Sequence, residues 1–191
     1  MPKSHSNNIE NLQELFICEL QDLLSTELQI IEALPKVIKI VNDQKLKQAL
    51  KDHLAETKGQ VERLKKISNI LSEDLDGRLC MGIKGILDEA DALIECCSPG
   101  AKDASIIAAA QRVEHYEITG YGTACAHAKI LNHGEVADLL QETLEEEEAI
   151  DKKLTKLAEG SFFTAGINKQ AMEEEAYQAT SPRNSRSERK I

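Results

Sequence analysis

Ala108-Ala109-Ala110-Gln111-Arg112-Val113-Glu114-His115-Tyr116-Glu117 decides the fold. Read as a helix, it places Glu117 on an apolar face with Ile106, Ala110, Val113, Tyr121, Ala124 and Ala128. Glu114 lies one turn earlier on the same side. A lone ionised carboxylate in such surroundings costs several kcal/mol and is normally avoided. Two on one helix therefore ask what else converges on that core.

Three more helices supply an answer. Glu27 is surrounded by Leu20, Leu23, Leu24, Ile30, Ile31 and Leu34, and it too reads as a buried-face carboxylate. Glu56 shares its side with Ala49, His53, Gln60, Leu64 and Ile67, and Glu146 with Leu139, Thr143, Ile150 and Leu157. The last two stand nearer the edge of their stripes. Glu27 and Glu56 are 29 residues apart, as are Glu117 and Glu146. His53 precedes Glu56 by three, making HxxE beside the ExxE of Glu114 and Glu117. Four carboxylates in one core make sense chiefly around cations, and two divalent ions would balance four charges. Imidazole with carboxylate suits iron, manganese or zinc. The expected metal ligands are Glu27, His53, Glu56, Glu114, Glu117 and Glu146. The run Glu145-Glu146-Glu147-Glu148 reads as a solvated face from which only Glu146 turns inward.

The helices around these residues are legible from apolar spacing. The first begins near Asn7 or Asn8, and Pro35 should kink or break it before Val37-Ile38 and Ile40-Val41 continue the run. The second covers about Gln44 to Ser72. A glycine-bearing connection, 74–85, leads to a short helix from Ile86 to Cys97, stopped by Ser98-Pro99-Gly100. The third starts after Asp103 or Ser105 and reaches about Leu131. Asn132-His133-Gly134 closes it, with glycine in the left-handed position. The fourth runs from about Glu135 to Ala158.

Superimposing Glu56 on Glu146 and Glu27 on Glu117 aligns Leu54 with Leu144, Leu64 with Leu154 and Leu23 with Val113. Two similar hairpins joined by a long crossover with a short helix describe a ferritin-like four-helix bundle, all-α. It should occupy residues 7–160, with 161–191 a polar, flexible tail whose end (Ser181 to Ile191) is basic.

Composition agrees. The 191 residues include no Trp and are rich in good helix formers. A net charge of −10 argues against nucleic acid and anionic membrane surfaces as partners. No apolar run reaches a bilayer span, and the polar N-terminus carries no signal, so a cytoplasmic protein is expected. Five cysteines without a CxxC read as reduced thiols. There is no nucleophile elbow or phosphate loop.

The stretches 108–117, Glu32-Ala33-Leu34-Pro35-Lys36, 53–64, Thr143 to Glu147 and Asp151 to Leu154 together resemble the YciE/YciF family over about residues 8–160. This is a bacterial ferritin-like family associated with stress responses. The resemblance implies a homodimer and a dinuclear iron or manganese site. It leaves the biochemical role open: a redox-active site would oxidise ferrous iron or consume peroxide, and a manganese catalase-like enzyme would share the same ligands. A non-enzymatic helical oligomer or adaptor is the alternative. Many ferritin-like di-iron proteins carry ExxH on the second and fourth helices. Here Gly59 and Ala149 stand at those histidine positions, leaving Gln60, Glu147 and Asp151 as substitutes.

Overall fold

The computed structural model describes residues 9–161 and 164–180. Helix α1 (Leu12–Ile40) is capped by Asn11, whose side chain accepts from the Glu14 N–H at 2.9 Å. The start expected at Asn7 or Asn8 lies outside the described residues. Pro35 does not end α1: it is exposed, while Leu34 and Val37 on the packed side carry the apolar face onward. Asp43 caps α2 (Gln44–Leu71) by accepting from the N–H groups of Lys45 and Leu46, both at 2.8 Å. Asp103 buttresses that turn, accepting from Asn42 and Asp43 N–H at 3.0 and 2.6 Å.

The crossover holds α3 (Met81–Cys96), which starts a turn earlier than expected despite Gly82 and Gly85. Ser98-Pro99 does not separate α3 from a distant start; it opens α4 (Pro99–Ile130). Proline is well placed there because its missing N–H would find no helical partner at that position. Between α4 and α5 (Gly134–Glu159), the left-handed residue is Asn132, with φ of 60°, and Gly134 begins the next helix. Asn tolerates that conformation through its short polar side chain.

Helices α1, α2, α5 and α4 pack in a ring of four, each against its two neighbours, with α3 laid over α1 and α4. The fold is an all-α bundle of two hairpins with a crossover helix, as the sequence pattern predicts. Where a tail was expected, a short antiparallel pairing joins Gly160–Ser161 to Thr164–Ala165, and helix α6 (Ile167–Thr180) packs against α4 and α5. The basic end, 181–191, lies outside the described residues.

The core is two apolar clusters. One gathers Ile30, Leu34, Leu46, Leu50, Ile106 and Leu154. The other gathers Phe16, Leu20, Leu64, Tyr121, Ala128 and Leu140. Between them every bundle helix turns polar: Glu27 on α1, His53, Thr57 and Gln60 on α2, Glu114 and Glu117 on α4, Thr143 and Glu147 on α5, all buried.

A candidate metal centre in the bundle core

This polar belt exists because each helix interrupts its apolar stripe at the same height. On α2 the inward positions run Leu50, His53, Thr57, Gln60, Leu64; on α5 they run Leu140, Thr143, Glu147, Ile150, Leu154. Spacings of three and four select Thr57 and Glu147 and turn the preceding residues outward. Glu56 is accordingly exposed, at a surface cleft with Glu142, Glu145, Glu146 and Lys153. Glu146 is half-buried and held by Arg63, whose Nη2 donates to its Oε1 at 2.9 Å and Nη1 to its Oε2 at 3.1 Å. The expectation that Glu56 and Glu146 face the core is therefore corrected. Glu147, read as solvent-facing, is fully buried.

The other four expected residues lie in the belt. Ligand atoms of His53, Glu114, Glu117 and Glu147 all fall within 4.8 Å of one another. His53 Nε2 is 3.5 Å from Glu114 Oε1. Glu27 is part of the same belt, and its Oε1 accepts from the Tyr121 hydroxyl. Gln60 Nε2 donates to Glu147 Oε1 and, at 3.0 Å, to Glu146 Oε2. Asp151 stays outside, accepting from Gln111 at 3.0 Å.

The electrostatics are those of an unbalanced site. Burial, reinforced by neighbouring carboxylates, pushes Glu114 and Glu117 well above the usual carboxylate range. Burial followed by the charge of Glu147 does the same to Glu27, against the opposing Tyr121 hydrogen bond. Burial raises Glu147 to about 7, and lowers His53 to about 4, so the imidazole is neutral near pH 7.

Both ring nitrogens of His53, both oxygens of Glu117, and one oxygen each of Glu27, Glu114 and Glu147 find no hydrogen-bond partner among the described residues. Neutral imidazole keeps one N–H donor, so the unmet acceptors are one His53 lone pair and the carboxylate oxygens when ionised, a costly set in one buried place. A cation satisfies them together, so the donor set fits a metal. This buried His and Glu group could hold an ion, in a ferritin-like helical bundle with a candidate metal centre.

Comparison with known proteins agrees with the all-α helical bundle. The chain belongs to the family described as a domain of unknown function, DUF892, whose model matches residues 11–176. It is 41% identical over 164 residues to protein YciF of Escherichia coli strain K12, covering 85% of this chain and 99% of that one. The crystal structure of the E. coli stress protein YciF superposes with a TM-score of 0.75 at 40% identity, over 78% of this chain and 95% of the other. The YcfI structure from Rhodopseudomonas palustris gives 0.77 at 39% identity, over 80% and 98%. A protein from Xanthomonas campestris pv. campestris, 17% identical, shares the fold with a TM-score of 0.67 over 87% and 99%. No helix among the described residues is long and apolar enough to cross a membrane.

Proposed function

We propose that the chain is a ferritin-like metal-binding protein whose core belt holds two iron or manganese ions. The observation that carries this reading is the mutual approach of His53, Glu114, Glu117 and Glu147 within 4.8 Å, all buried. Glu27 adds a fourth carboxylate, so the belt's four negative charges match two divalent cations. Carboxylate with one imidazole is a donor set suited to either metal. Bound there, iron or manganese would supply redox chemistry towards dioxygen or peroxide, which accords with the description of the E. coli relative as a stress protein.

The chain's own residues prepare the site. Gln60 orients Glu147 by donating to one of its oxygens, leaving the other free; Tyr121 does the same for Glu27. His53, uncharged near pH 7, offers a nitrogen lone pair without a proton to displace. The carboxylates release protons as a metal replaces them.

Elemental analysis of tag-free protein purified without chelator tests the proposal. About two iron or manganese per chain is expected, with a melting temperature that falls on chelation. Glu27→Ala with Glu117→Ala should abolish that stoichiometry while the helical signal persists; full occupancy in the double variant would overturn the assignment.

The rival reading is a helical oligomer or adaptor without a competent site. It rests on the positions three residues after Thr57 and Glu147, where Gln60 and Ile150 offer no imidazole. No metal after anaerobic loading with ferrous and manganous ions would favour it.

A further inference from the structure

A second feature meets the belt from the side. A cavity of about 50 Å³ runs between α1, α2, α3 and α4, and twelve of its fourteen lining residues are Ala, Val, Leu or Ile. Its half-buried residues Ala33 and Val37 on α1, with Leu87 and Ala90 on α3, form the outer part. Deeper in stand the buried Leu50 and Ile106, and with them the two polar residues of the lining, His53 and Glu114. Both ring nitrogens of His53 and one Glu114 oxygen are without hydrogen-bond partners among the described residues. The crossover helix thus roofs an apolar cavity whose lining includes two candidate ligands.

Size and chemistry restrict the occupant. A single water needs about 10–15 Å³ of such volume and two to four polar partners. On that scale the space holds about three to five water-sized atoms, and the polar residues of its lining are His53 and Glu114 alone. A water chain or hydrogen peroxide would leave most of its hydrogen bonds unmet along those walls. A neutral apolar diatomic loses none.

We propose that the cavity is a binding site and entry route for a small apolar gas of the dioxygen class, opening onto the His53–Glu114 side of the metal centre. The link to a metal rests on the function proposed above; the gas site itself does not.

Xenon is the probe, read in two arms. In metal-free protein, xenon should shift the methyl resonances of Leu50 and Ile106 saturably, and leave those of Leu20 and Leu140 in the other apolar cluster unmoved. Ala33→Phe and Ala90→Phe, on separate helices, should each abolish those shifts; spectra of the free variants establish that they fold. Absence of the shifts in the natural chain, or their persistence in both folded variants, overturns the gas site, and the first of these needs no variant. In protein loaded with manganese(II), 129Xe relaxation should quicken beyond its value in metal-free protein and return to that value in the plugged variants. Unchanged relaxation with manganese shown present by elemental analysis overturns the opening onto the centre. Failure of manganese to load counts against the proposed function, while the metal-free arm still decides the cavity.

Discussion

Gln60 reaches across from α2 and donates one amide to both Glu147, inside the bundle, and Glu146, at its surface. Adjacent glutamates on α5 thus have opposite duties, one turned to the belt and the other clamped by Arg63. Glu147→Ala should cost about 10-fold or more in metal affinity, the scale on which losing even a supporting group acts. Glu146→Ala should keep full metal content and lose about 1 kcal/mol of stability, since its ion pair is partly exposed. Metal titration and thermal melting of the two variants side by side check this; equal metal loss from both is the contrary result.

Tyr121→Phe leaves a buried Glu27 oxygen without its donor. Truncations of this kind cost about 1–3 kcal/mol. Denaturant unfolding of the metal-free protein measures it. A variant as stable as the natural chain would show that the hydroxyl contributes nothing to the belt.

Metal-free protein should lose stability as pH rises past neutrality. Glu27, Glu114, Glu117 and Glu147 hold protons more tightly folded than unfolded, so their contribution is complete below about pH 4.5 and fades as pH climbs through their folded values. His53, lowered from 6.5 to about 4, works oppositely: its contribution fades as pH falls from 6.5 towards 4. Above pH 6.5 only the carboxylates matter. Glu147 alone, with about 7 against a usual 4.5, represents about 3 kcal/mol when fully titrated. Melting of chelated protein at pH 6.5 and pH 8 should show the drop. Saturating metal should narrow it, because ligation replaces the protons.

Asp103→Ala tests the scaffold apart from the site. It removes a buried acceptor for two N–H groups at the α1–α2 turn and should destabilise by about 2 kcal/mol. Metal content should be unchanged. Calorimetry with elemental analysis reads both.

The bundle was legible because apolar spacing is a property of long helices, and four of the belt residues were legible because they interrupt it. Glu27 is ringed by leucine and isoleucine, and Glu117 by alanine, valine, isoleucine and tyrosine, so their burial follows from their neighbours alone. Glu147 has glutamate on both sides, and a step of about 100° per residue then leaves four candidates for one inward place. The signal that resolves it is Leu140, Thr143, Ile150 and Leu154, whose spacing leaves 147 as the inward position. The repeat could not arbitrate: a shift of 90 residues maps Glu56 onto Glu146 and Thr57 onto Glu147 equally well. Helix ends were less legible, because Ser98-Pro99 both stops one helix and starts another.

The same repeat matches Glu27 with Glu117, but Leu24 with Glu114, His53 with Thr143 and Thr57 with Glu147. The two hairpins agree in shape and disagree in donors. A pair of ions in this core would consequently be inequivalent, one favoured by imidazole and the other by carboxylate alone. In the two-ion centre proposed above, such unlike ligand sets favour unlike affinities, which makes a protein carrying two different metals at once an attainable state rather than an accident of preparation.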